Sequence, residues 1–385
     1  MTRFLELVIS VLIVVVLFVV VGLFLPSRQH VTHMAETNHP VRQVYDTLNG
    51  FGRFGDWHPL RQHDPTVKYT VSGAPAGVGA QLDYNSWKPE IGKGTFLITE
   101  SVEDEKVEFV TENQAYGTGK RHRITLEPRG KIVNITWRYD VDYGWNIFGR
   151  YAGLYLDRTV GDDMKRGLNN FTGLLATMPN YDYRALDVAV TELPPQNILF
   201  VSTSADRNIT AVENAMIEAL KDIRSNIVSN GLVETGGARL ITTNFGTDKY
   251  TFDIAIPVAR KDAAAEDEGD DASAEEEAPG DGSETQSEVQ SETVAAPVVD
   301  LAPPAPLEGL KLPENVQLGV SYGGRVVTAP YTGHPAALPL IRDQLRSYAA
   351  AHGLQLQDRS IDEYLTEIED TSAEEARFRV YWPIK

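Results

Sequence analysis

The side chains best suited to acid–base or metal chemistry in this chain are its histidines. There are eight, and there is no cysteine, so disulfides, thiolate metal sites and cysteine nucleophiles are excluded. Six of them, His30, His33, His39, His58, His63 and His122, fall in the first half of the sequence. No two share the i, i+4 spacing that places a pair of metal ligands on one helix face. His58, His63 and Asp64 come nearest to a cluster. Their segment is rich in turn residues and reads as solvated loop. No nucleophile–base pair and no phosphate-cradling glycine loop stands out. The residues alone thus point to no catalytic set, no metal site and no cofactor.

The chain around them begins with an apolar run. Leu7 to Leu25 reads LVISVLIVVVLFVVVGLFL, interrupted only by Ser10 and Gly22. A helix of about 20 such residues spans the hydrocarbon core of a bilayer. A secretory signal would have a shorter apolar region and a small-residue cleavage site, whereas Pro26-Ser27-Arg28-Gln29 follows here. The expectation is an uncleaved transmembrane anchor over 1–27, in contact with lipid through residues 5–25. A short N-terminal tail ahead of a long C-terminal part favours a single-pass protein in a bacterial inner membrane, with its soluble part outside the cytoplasm. The charges flanking the run decide little, because long domains cross largely regardless of charge.

The net charge of −19 is local. Fifteen acidic and no basic residues lie between Asp262 and Leu310, and without them the balance falls to about −4. No basic stripe remains to neutralise phosphates, so no nucleic-acid partner is expected. The acidic stretch has few large apolar residues and cannot offset its ordering entropy by burial. It reads as a disordered insertion over 260–308, with an extended Pro-rich end at Ala302-Pro303-Pro304-Ala305-Pro306. Its carboxylates lack the regular spacing of a calcium loop.

Between the anchor and about residue 180 the pattern is a short helix at 40–48, an aromatic turn-rich segment at 51–59, then strands. The strands are expected at 67–71, 80–87, 94–101, 106–111, 120–126 and 132–139, separated by Gly and Pro clusters. Leu156, Val160, Met164, Leu168, Phe171 and Leu175 form the stripe of an amphipathic helix. Trp57-His58-Pro59, Asp64-Pro65, Ser72-Gly73, Gly77-Val78-Gly79-Ala80, Gly92-Lys93-Gly94, Thr99-Glu100-Ser101, Trp137, Gly161 and Gly167-Leu168 occur in order. In these the segment 28–180 resembles the START-like (SRPBCC, polyketide-cyclase-type) superfamily. The resemblance implies a helix-grip: a curved antiparallel sheet around a long C-terminal helix, with a hydrophobic cavity that Trp57, Trp87 and Trp137 could line.

Residues 185–385 repeat themselves on either side of the insertion. Val190–Ser204, a helix at 209–228, Asn230-Gly231-Leu232 and Phe252–Val258 are matched by Val320–Gly333, a helix at 337–350, His352-Gly353-Leu354 and Phe378–Ile384. Gly-Leu closes both helices, as a left-handed cap would. Self-similarity in this order predicts one α+β fold made of two related halves. With Tyr331-Thr332-Gly333, Asp362-Glu363-Tyr364-Leu365 and Tyr381-Trp382-Pro383-Ile384, this part resembles the GyrI-like effector-binding domain, which also occurs in multidrug-sensing regulators. That resemblance implies a cleft between pseudo-twofold halves that takes amphipathic, often cationic molecules. A buried acid would meet the cation, and Tyr322, Tyr331, Tyr364 and Trp382 would supply aromatic wall. The family's acid stands two residues before the tyrosine, where this chain has Asp362 with Glu363 beside it. Alternation along a strand allows only one of the two to face the cleft.

No DNA-reading segment precedes this part. The function expected is a membrane-anchored, non-catalytic binder of hydrophobic or amphipathic small molecules. The alternatives are an enzyme of cyclase or hydrolase type in either pocket, and an envelope scaffold with vestigial pockets.

Overall fold

A computed structural model describes residues 2–246, 248–261, 301–367 and 375–385. It is a mixed α+β structure with antiparallel sheets and an apolar N-terminal helix, α1 (Thr2–Phe24). Among the described residues one helix is long and apolar enough to cross a membrane. The chain divides into two compact units, Met1–Ala185 with Arg346–Leu354, and Leu186–Leu345 with Gln355–Lys385.

In the first unit, seven strands pair antiparallel in the order β1-β7-β6-β5-β4-β3-β2. They are β1 (Arg28–Thr37), β2 (Lys68–Gly73), β3 (Ala80–Asn85), β4 (Lys93–Val102), β5 (Lys106–Asn113), β6 (Thr118–Arg129) and β7 (Ile132–Asp142). Residues alternate between covered and open faces, most regularly on β7, because side chains leave a strand on opposite sides in turn. Short helices α2 (Val41–Leu48), α3 (Phe54–Trp57) and α4 (Leu60–His63) follow β1. After β7 come α5 (Ile147–Gly153), a π-helical turn (Asp157–Gly161) and α6 (Asp162–Ala176). Met164, Leu168, Phe171 and Leu175 of α6 are buried in the sheet's core cluster. Gly167 lets α6 approach, since a Cβ there would meet Trp137 Cζ3 at 2.8 Å.

The second unit is a nine-stranded sheet in the order β13-β9-β12-β11-β15-β16-β14-β8, with β10 (Leu232–Glu234) pairing separately to β12. Its strands are β8 (Ala189–Leu193), β9 (Asn197–Asp206), β11 (Arg239–Phe245), β12 (Lys249–Arg260), β13 (Gln317–Val320), β14 (Gly324–Thr332), β15 (Ile361–Tyr364) and β16 (Arg377–Pro383). Helix α7 (Ile209–Ser229) follows β9. A 3-10 turn (Pro335–Ala337) and α8 (Leu338–Ala351) follow β14. Gly231 and Gly353 have φ of 65° and 71°, the left-handed caps expected after the two helices. Strand β8 pairs with β14, and β13 with β9. Strand β11 pairs with β15 in the register Arg239↔Glu363 and Leu240↔Asp362.

Two sequence expectations change. Arg260, where the acidic insertion is expected to begin, is still in β12. Residues 262–300 of the insertion lie outside the described residues. Its Pro-rich end is tied to the fold: Asn197 Nδ2 donates to the carbonyl of Ala305 at 2.8 Å, and Arg260 donates to the carbonyl of Glu308. The His58–Asp64 segment is likewise only partly a solvated loop: Leu60–His63 form α4, and His63 is exposed. Asp64 is buried and accepts from the hydroxyls of Thr66 and Ser86. His58 stacks on Phe54 with ring centroids 4.2 Å apart.

Candidate functional site

The candidate site is a cavity of about 320 Å³ in the second unit, a volume within the lower range of small-molecule sites. Helix α7 begins at an Asn208 cap, whose side chain accepts from the Ala211 amide at 2.8 Å. From there Ile209, Val212, Glu213 and Met216 line one wall at helical spacing. The opposite wall comes from the 3-10 turn and the start of α8, with Pro335, Leu338, Pro339 and Arg342. His334 Nδ1 caps that turn by accepting from the Ala336 amide at 3.1 Å. The floor is sheet: Leu240 from β11, Tyr250 from β12 and Tyr364 from β15.

Strand alternation sets the electrostatics. Asp362 and Tyr364 share the face of the sheet that carries Leu240, and Glu363 takes the other. Asp362 is 0% exposed and is not an open acid. Arg342 Nε lies 3.0 Å from both of its carboxylate oxygens, and Nη2 also donates to Oδ2. Burial works against the guanidinium's charge, but Asp362 outweighs it and holds the Arg342 pKa above its ordinary value. The floor tyrosines are held above theirs. Burial is the main cause for both, and Asp362 adds to it. They stay neutral, and the Tyr364 hydroxyl points to Met216 Sδ at 3.6 Å.

Glu363 is also buried, at 7% exposure. Its Oε1 accepts from Arg239 Nε at 3.2 Å and Nη2 at 3.1 Å, and its Oε2 accepts from the Tyr381 hydroxyl at 2.7 Å. Burial, then the bond to Glu363, raises the Tyr381 pKa. This second ion pair adjoins a separate apolar cluster that includes Ile241, Ala255, Val326 and Ile361. Both acids of the Asp362-Glu363 pair therefore have an internal arginine as their cation.

Of the residues expected to bind a ligand, Tyr364 lines this cavity and Asp362 lies behind Arg342. Trp382 donates through Nε1 to the Arg342 carbonyl at 3.0 Å, which fixes the helix carrying Arg342. Tyr331 stacks on Phe378, with centroids 5.9 Å apart. Tyr322 packs against the cluster beside Glu363 and accepts from Gln357 Nε2 at 2.7 Å. In the first unit, Trp57 and Trp137 are buried edge to face at 5.7 Å. They sit in a packed aromatic interior with Phe54, Phe96, Phe109 and Phe171. Trp87 is 84% exposed in the turn after β3, away from that interior. His122 lies among these rings and accepts from Trp137 Nε1 at 3.2 Å, and burial lowers its pKa to about 3.

The sequence reading missed Glu213 and Arg342, the two charged side chains on the cavity's helical walls. Both interrupt an apolar stripe, Glu213 between Ile209 and Met216 and Arg342 between Leu338 and Leu345. A charge on the buried face of an amphipathic helix is the signal that could have marked them.

No family model and no curated protein matches the chain. Solved structures do. One is the EcmrR C-terminal domain, at 11% identity and TM-score 0.34, over 52% of this chain and 98% of that one. Another is the di-domain ARO/CYC StfQ from the steffimycin biosynthetic pathway, at 11% and 0.31, over 38% and 50%. A third is a hydrolase from Listeria innocua, at 11% and 0.31, over 51% and 91%. Likeness at this level assigns the chain to no family.

Proposed function

We propose that this chain is a membrane-anchored, non-catalytic protein that binds an apolar or amphipathic small molecule in the second unit. In this reading α1 is a single-pass anchor in a bacterial inner membrane and both units face away from the cytoplasm. The first unit is a START-like helix-grip, with α6 held by a seven-stranded sheet. The second is GyrI-like, with two related halves joined at β11 and β15.

The observation that carries the binding reading is the cavity beside α7. Its walls are mostly apolar, through Ile209, Val212, Met216, Leu240 and Leu338, with Glu213 and His334 among the few polar groups. Such a site takes an apolar body and orients a polar end. Asp362 makes no demand for a positive ligand there, because Arg342 already neutralises it. A neutral amphipathic diazirine probe, photolysed on the purified full-length protein, tests this. Saturable labelling should map to peptides covering 208–216 and 334–342. Labelling confined to α1 would contradict it.

A further inference from the structure

Helix α5 lies against the C-terminal part of α1 and leaves its other side apolar and open. Gly22 of α1 is buried there, and a Cβ on it would meet Ile147 Cγ2 at 2.3 Å. The Tyr151 ring stacks on Phe18 at 4.4 Å and 8°, and its hydroxyl donates to the Phe18 carbonyl at 2.9 Å. Phe148 also meets Phe18, at 5.5 Å. Arg150 turns its guanidinium onto the end of α1. Its Nη1 donates to the carbonyls of Leu23 at 2.9 Å and Leu25 at 3.2 Å, which the helix itself leaves unpaired. Its Nε and Nη2 hold the Gly144 carbonyl at 2.8 and 2.6 Å. The segment is thus clamped to α1 by packing and by hydrogen bonds.

What the clamp leaves exposed is unusual for a water-facing surface. Trp145 is 83%, Phe148 66%, Leu154 55% and Tyr155 61% exposed, and Phe24 at the end of α1 is 86% exposed. Contiguous exposed apolar groups mark an interaction surface. Continuity with α1 decides what covers this one. At about 1.5 Å per residue, Phe18 lies roughly 9 Å back from Phe24 along the helix, so α5 runs beside a stretch of the apolar span itself. Tryptophan and tyrosine favour the level where hydrocarbon meets headgroups, and a short helix with an apolar outer face can lie in that plane.

We propose that residues 145–155 form a collar embedded in the lipid interface around the end of α1, which docks the first unit on the bilayer in a fixed pose. This rests on the reading of α1 as a membrane anchor. The partner is the lipid bilayer, recognised through aromatic and aliphatic side chains. Arg150 stays out of hydrocarbon by bonding to backbone carbonyls.

The absence of native cysteine makes site-specific labelling clean. The full-length protein, carrying a nitroxide at Leu154→Cys, Phe148→Cys, Val14→Cys or Lys131→Cys, is reconstituted into vesicles of phosphatidylcholine and phosphatidylglycerol at 3:1. Lys131 is exposed in the turn between β6 and β7, at the opposite end of β7 from α5. Collision with oxygen should exceed collision with a water-soluble nickel chelate several-fold at positions 148, 154 and 14, and the order should reverse at 131. Lipid-like values at 14 with water-like values at both 148 and 154 would overturn the collar and leave the anchor standing. Water-like values at 14 as well would overturn both.

Discussion

Asp362→Asn is the substitution that best separates an internal ion pair from a ligand-binding acid. Asp362 is fully buried, and Arg342 makes two 3.0 Å contacts and a third, shorter one to it. Asparagine can still accept one of these bonds but cannot balance the buried guanidinium. Removing one member of a buried ion pair costs about 3–5 kcal/mol, and the surviving bond places Asn near the lower end. For a unit of this size a loss of about 3 kcal/mol lowers the midpoint by roughly 6–12 °C. The assay is thermal unfolding of the full-length wild type and variant by differential scanning calorimetry. The double variant Asp362→Leu with Arg342→Leu should recover most of the loss, because apolar replacement of a buried pair is often neutral. An unchanged midpoint in Asp362→Asn, coupled with lost ligand binding, would instead make Asp362 a free, ligand-binding acid.

Two further predictions concern the first unit. His122 is held neutral in the fold, with its pKa near 3, while in the unfolded chain it titrates near 6.5. Its neutral burial is therefore without cost above about pH 6.5, and stability falls as pH drops from there toward 3. The loss reaches up to about 1.4 kcal/mol per pH unit. Urea unfolding at a series of pH values should show a slope shallower by about one proton in His122→Phe, and an identical slope would count against the assignment. Gly167→Ala should lower the first unit's unfolding midpoint, because the new Cβ would sit 2.8 Å from the buried Trp137 ring and such overpacking costs about 1–3 kcal/mol. A raised midpoint, from alanine's better helix propensity, would show that α6 can shift.

Much of the fold was legible because it repeats simple local rules. The six strands expected between residues 67 and 139 all form, since period-two apolar patterns and glycine punctuation mark sheet on both counts. The two Gly-Leu helix ends carry the left-handed glycines that their sequence calls for. The candidate site was less legible. Adjacent acids at 362 and 363 look open in sequence, but their partners Arg342 and Arg239 come from other elements. Strand register sets Arg239 opposite Glu363, and the packing of α8 on the sheet brings Arg342 to Asp362. In the same way, Trp57, Trp87 and Trp137 are chemically alike in the sequence. The packing around them separates two core residues from one that faces solvent. The collar around α1 was hidden for a related reason. Trp145 and Phe148 sit over a hundred residues from the span they accompany, and nothing in their local pattern refers to it.

The proposed function stands or falls with a small molecule in the cavity beside α7. The most direct measurement is saturable photolabelling by the neutral amphipathic probe in two variants of the same helix. Val212→Trp places a large ring in the cavity, whereas Ile217 is partly exposed and lies outside its lining. Labelling of 208–216 and 334–342 should vanish in Val212→Trp and persist in Ile217→Trp, with both variants folded by circular dichroism. Equal labelling in the two would place the probe elsewhere and leave the cavity without a ligand.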